Sequence, residues 1–102
     1  MVVVESFEEN VHLALRQVIH PETNHSLVDL GMIKNVIVKG EYVAFTLVLP
    51  FLNVPIKEDL VRRIKEAIKK LNADANIEVR FTEMSEEERV RFITMARNAW
   101  IR

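Results

Sequence analysis

The segment IKNVIVKGEYVAFTLVLP, residues Ile33 to Pro50, decides the fold. Ile33 to Val38 is a short β-branched run, and Tyr42 to Leu49 is a second apolar run. β-Branched and aromatic side chains are stiff at χ1 and pack well on a pleated surface, so both runs read as strands. Lys39-Gly40-Glu41 lies between them and supplies turn residues, so the two strands form a hairpin. Pro50 has no amide hydrogen to donate and stops the second strand.

The pattern changes on either side of the hairpin. Downstream, Pro55 suits the first turn of a helix. Leu60, Ile64, Ala67, Ile68 and Leu71 then recur on one helical face. Asn72 to Asn76 is a loop, and Ile77-Glu78-Val79-Arg80-Phe81 alternates as a third strand. Ser85-Glu86-Glu87-Glu88 is a capping box, in which serine and the third glutamate satisfy each other's amides. It opens a last helix whose Val90, Ile93, Ala96 and Trp100 are available to pack. Upstream, Ser6-Phe7-Glu8-Glu9 is a second capping box. Val11, Leu15, Val18 and Ile19, with Ala14, form a helical stripe that Pro21 ends. The order is α-β-β-α-β-α. Three strands with interspersed helices predict a two-layer α+β domain, with a three-stranded sheet and helices packed on one face. Residues 1–102 are expected to make one domain, since 102 residues suffice for a single core.

Composition narrows the function classes. The chain is 49% hydrophobic and 28% charged, a globular balance and not a disordered one. A net charge of -1 gives no global electrostatic case for nucleic acid or an anionic membrane. No apolar run approaches the roughly 20 residues that span a bilayer. Met1-Val2-Val3-Val4-Glu5 is too short for a secretory leader, so a cytoplasmic location is expected. With no cysteine there is no disulfide, thiolate ligand or thiol nucleophile. Ser6, Ser26 and Ser85 read as cap or turn residues, with no Ser/His/Asp arrangement, so catalysis by the chain itself is not expected.

One further segment, His20-Pro21-Glu22 leading into Ser26-Leu27-Val28-Asp29-Leu30-Gly31-Met32-Ile33, carries a family resemblance. With the hairpin, the proline-started helix and the third strand downstream, it resembles the Fe-S cluster assembly domain. That domain occurs in SufT and PaaD-type proteins and at the N-terminus of Mrp/ApbC-type P-loop ATPases. The match runs from about Val11 to Phe81. The segment Ser85 to Arg97 is similar to the part that joins this domain to the ATPase in some Mrp-type proteins. There is no Gly-rich P-loop, so a stand-alone copy is expected. Two positions depart from the family pattern. His20 stands where an aspartate often precedes the proline. Val54, in Pro50-Phe51-Leu52-Asn53-Val54-Pro55-Ile56-Lys57, stands where a cysteine is usual. A cysteine near a helix N-terminus is favoured as thiolate, whereas valine has no ligating atom.

The resemblance implies a non-catalytic accessory or adaptor protein of Fe-S cluster assembly. It implies protein–protein contacts with assembly proteins, client apoproteins or an Mrp-type ATPase, and no cofactor or metal of its own. The working surface it points to is Glu22, Asp29, Phe51, Leu52, Asn53, Val54 and Pro55, with Pro21 and Gly31 as structural turn residues. A homodimer is a further expectation. The alternative is a diverged small-molecule-binding or assembly subunit of a larger metabolic enzyme, as in PaaD-type relatives.

Each candidate also has a plainer explanation. Glu22 caps or solvates a turn, and Asp29 hydrogen-bonds nearby amides ahead of Gly31. Gly31 supplies a backbone conformation or room for close packing. His12, His20 and His25 read as surface or capping residues, since no pair has helical i, i+4 ligand spacing. Met32, Met84 and Met95 read as packing. Lys57, Arg62, Arg63, Lys65, Lys69 and Lys70 make a basic helix face diluted by Glu58, Asp59 and Glu66. Without an aromatic platform or a Gly-x-x-Gly clamp, it reads as a solvated face and not as a nucleic-acid site.

Overall fold

A computed structural model describes residues 6–21 and 23–100, of residues 98–100 the backbone alone. The elements are α1 (Phe7–Arg16), β1 (Ile33–Lys39), β2 (Tyr42–Leu49), α2 (Lys57–Lys69), β3 (Asn76–Glu83) and α3 (Glu86–Trp100). This is the expected α-β-β-α-β-α order of an α+β fold.

β2 is the central strand of a three-stranded sheet ordered β1-β2-β3. It pairs antiparallel with β1 through the hairpin and parallel with β3 across α2. A parallel partner needs a crossover, and α2 is that crossover. Val43, Phe45, Leu47 and Leu49 share one face of β2, and each is at most 1% exposed. α1 and α2 pack together over the core, contributing Val11 and Leu15 from one and Leu60, Ile64 and Ile68 from the other. Each fully buried aliphatic side chain contributes about 1.5–3 kcal/mol relative to an exposed one.

β1 carries an irregularity that its sequence conceals. Lys34 faces Thr46 and Ile37 faces Ala44, so Asn35 and Val36 together oppose Phe45. Asn35 absorbs the extra residue at φ +55, a left-handed conformation that asparagine tolerates better than most residues.

Three expectations need correction. First, α1 ends at Arg16 with Gln17 as its C-cap, well before Pro21. Val18 and Ile19 leave the helix because the loop offers them sheet-like partners. The Leu27 amide donates to the Val18 carbonyl at 3.0 Å, and Ile19 bridges Ser26. Second, α2 starts at Lys57 with Ile56 as an N-cap that has no side-chain cap hydrogen bond, so Pro55 lies in the turn leading in. Third, Val90 and Ile93 are 60% and 44% exposed. α3 instead turns Phe92 and Ala96 inward, together with the stem of Arg89. The side chain of Trp100 lies outside the described residues.

Candidate functional site

α3 is tied at its start to the end of the sheet. Its capping box is complete: the Glu88 amide donates to Ser85 Oγ at 3.2 Å, and the Ser85 amide donates to Glu88 Oε1 at 3.0 Å. Lys34 of β1 pairs with Glu88 Oε2 at 2.5 Å. Lys34 first, and the two Ser85 bonds after it, hold the Glu88 carboxyl down at about 2. Arg89 spans the gap to the loop after β2. Its Nε donates to the Pro50 carbonyl at 3.2 Å and its Nη2 to the Met84 carbonyl at 3.3 Å. Its guanidinium lies 4.9 Å from the centre of the Phe51 ring.

The segment before β1 folds into a compact double turn. The His20 amide donates to the His25 carbonyl at 2.8 Å, and the Asn24 amide returns to the His20 carbonyl at 3.0 Å. Ser26 Oγ caps the next turn by accepting the Asp29 amide at 3.0 Å. That turn closes as a Schellman motif, with Gly31 N–H on the Val28 carbonyl and Met32 N–H on the Leu27 carbonyl. Gly31 sits at φ +73, and a Cβ there would meet nothing within 4 Å. Conformation and not packing is therefore what requires glycine.

Between this double turn, the Pro50–Ile56 loop and α3 lies a cavity of about 480 Å³. His20, Thr23 and Met32 form one side, and Phe51, Val54, Pro55 and Ile56 form another. Arg89, Phe92 and Ile93 of α3 close it. His20 is 3% exposed, with its ring edge-on to Phe92 at 5.9 Å, so of the surface and capping readings the surface one does not hold. Thr23 is 1% exposed, and its Oγ1 accepts the His25 amide at 3.3 Å.

Phe51, Val54 and Pro55 of the expected surface thus come together at this cavity. Leu52 and Asn53 lie exposed on the same loop, outside its lining. Asp29 is exposed and does not line it; among the described residues its carboxylate makes no hydrogen bond. Glu22 lies outside the described residues. Pro21 is exposed in the first turn. His20, Thr23, Arg89 and Phe92 are site residues that sequence reasoning missed. The i, i+3 spacing of Arg89 and Phe92 was the available signal.

Among the described residues, no three His, Asp or Glu side chains gather into a metal-binding group. The chain also has no cysteine, so its residues do not fit an iron-sulfur cluster. A second, open depression of about 680 Å³ runs along α2 past Lys65, Lys69 and Lys70, with Glu58 and Glu66 among them. Arg62 pairs there with Asp59 and Glu66, and Arg63 with Asp59, as on a solvated charged face. Hydrogen bonds from Arg63 and Arg62 lower the Asp59 pKa. No helix among the described residues is long and apolar enough to cross a membrane.

Residues 8–79 match the family described as "Iron-sulfur cluster assembly protein". The chain is 41% identical over 68 residues to an iron-sulfur cluster carrier protein of Synechocystis sp., covering 67% of this chain and 19% of that protein. It is 33% identical over 82 residues to an iron-sulfur cluster carrier protein of Mycobacterium leprae, covering 79% of this chain and 21% of that protein. It therefore spans about a fifth of the length of these relatives. A crystal structure of a domain of unknown function, DUF59, from Bacillus anthracis superposes with a TM-score of 0.70 at 25% identity. That superposition covers 94% of this chain and 93% of the other.

Proposed function

The chain belongs to the family of iron-sulfur cluster assembly proteins, and from that premise we propose that it is a non-catalytic adaptor in cluster assembly. It acts through protein contacts that use Phe51, Leu52, Asn53, Val54, Pro55, Glu22 and Asp29, and not through a sulfur of its own. Val54 is the observation that carries this reading. Where the family usually has a cysteine, Val54 puts an isopropyl group into the wall of an apolar cavity. Beside it, Phe51 and Leu52 are 52% and 49% exposed. Neighbouring large apolar side chains left in water on a loop favour a contact surface. Clusters are held by thiolates, so a cluster passing through such a complex is cargo on a partner's ligands. The partners are assembly proteins, client apoproteins or an Mrp-type ATPase in the cytoplasm, and a second copy of the chain fits the same loop.

The test is an anaerobic affinity capture from native extract, with bound proteins identified by mass spectrometry. An Asp29→Lys, Val54→Trp variant with an unchanged circular dichroism spectrum serves as control. Cluster-assembly proteins are recovered with the wild type and lost with the variant. Recovery of the subunits of one metabolic enzyme, or of the same proteins by the variant, would overturn the proposal.

A further inference from the structure

We propose that the cavity beneath α3 binds a small hydrophobic monoanion, a carboxylate with an aliphatic body. This goes beyond the adaptor reading and does not depend on it. The buried polar groups point to it first. Three polar side chains are buried among the described residues, His20, Thr23 and Ser26, and two of them line this one cavity. Apolar pockets with a few convergent polar groups are how small-molecule sites are built, and a volume of about 480 Å³ lies within their usual range.

The sign of the charge comes from what Thr23 and Arg89 have left to offer. Thr23 Oγ1 accepts the His25 amide, which leaves its O–H to donate. Arg89 commits Nε and Nη2 to the Pro50 and Met84 carbonyls, while Nη1 makes no hydrogen bond among the described residues. Both remaining groups are donors. Among the described residues, no Asp or Glu lines the cavity. The carboxylate paired with Arg89, that of Glu83, lies 3.9 Å from Nη2 and outside the lining. Donors with no carboxylate of the described residues competing inside the cavity favour an acceptor that carries negative charge. Met32, Val54, Ile56, Phe92 and Ile93 offer the rest of the ligand an apolar wall. Phe51, half exposed, lies at the mouth with its ring centre 4.9 Å from the Arg89 guanidinium, which is itself held through Nε and Nη2.

Octanoate, octanol and octylammonium share one body and differ in head group, so titrating each into the full chain tests the assignment. The readout is the set of backbone amide NMR shifts. Octanoate is expected to saturate, with shifts grouped at Thr23, Val54, Ile56, Arg89 and Ile93. The neutral and cationic heads are expected to bind at least about tenfold more weakly, the scale of one charge-assisted hydrogen bond. Arg89→Met removes the cation and is expected to bring octanoate down to the level of octanol. Because Arg89 also anchors α3, Ile93→Trp is the second variant. Ile93 is 44% exposed, so tryptophan there narrows the cavity with the melting temperature unchanged, and octanoate affinity falls about tenfold. Equal binding of octanoate and octanol, shifts grouped along Lys65 to Lys70, or no saturable shift at all would each overturn the proposal.

Discussion

α2 and α3 are held in opposite ways. α2 has an N-cap, Ile56, that makes no side-chain cap hydrogen bond, yet Leu60, Ile64 and Ile68 are each 0% exposed. α3 starts with a complete capping box, an ion pair to Lys34 and two hydrogen bonds from Arg89. Among its described side chains only Ala96 is fully buried. Burial fixes α2 along its length, whereas polar anchors fix α3 at one end. A helix pinned at its start can bridge a space without filling it, and the cavity lies in that space. The side of the molecule held by burial is its scaffold, and the side held by anchors is where a ligand or partner has room.

The largest effect comes from breaking the scaffold. Ile64→Ala leaves a void among Leu60, Ile68 and the β2 side chains, and is expected to cost about 2–5 kcal/mol by urea denaturation. A cost below about 1 kcal/mol would mean that α2 is not held by burial. Gly31→Ala tests the turn that delivers Met32 to the cavity. The new Cβ meets no atom within 4 Å, so the expected cost of about 1–2 kcal/mol is that of the left-handed backbone alone. Ser85→Ala removes the α3 cap and is expected to cost about 1 kcal/mol. An equal loss from Ser6→Ala, whose hydroxyl accepts the Glu9 amide at 3.1 Å, would show that capping matters no more for α3 than for α1.

The smallest effect is a pH dependence. The Glu88 carboxyl is held at about 2, below its ordinary value of 4.5, chiefly by Lys34. A depressed carboxylate stabilises the fold above its unfolded value and loses that contribution as pH falls toward its folded value. The window is therefore about 4.5 down to about 2. Glu88→Gln is expected to flatten the pH dependence of the urea midpoint in that window.

What the sequence revealed and what it concealed follow the same division. Tyr42 to Leu49 is β2 to the residue, because a central strand covered by helices needs an unbroken apolar run between turn signals. Leu60, Ile64 and Ile68 were legible because burial leaves a 3.6-residue period. Anchored segments leave no such period. Val18 and Ile19 extend the α1 stripe, but a pairing with Ser26 and Leu27 that no local pattern announces takes them out of the helix. Beyond its i, i+3 spacing to Phe92, nothing in the local pattern marks Arg89, yet its stem and two carbonyl partners turn it inward, leaving Val90 exposed and Ile93 half exposed at the cavity. Of the residues that line the cavity, Phe51, Val54 and Pro55 were among those singled out in the sequence. The places of His20, Thr23, Arg89 and Phe92 in the lining depend on tertiary contacts.

The most direct test of the central claim sets Val54→Trp beside Ile64→Ala and reads two quantities from each, melting temperature and anaerobic retention of cluster-assembly partners per folded molecule. The expected result is a double dissociation: Val54→Trp keeps the melting temperature and loses the partners, while Ile64→Ala lowers the melting temperature and keeps them below it. Partners retained by Val54→Trp at wild-type level would contradict the assignment of function to the cavity and its loop.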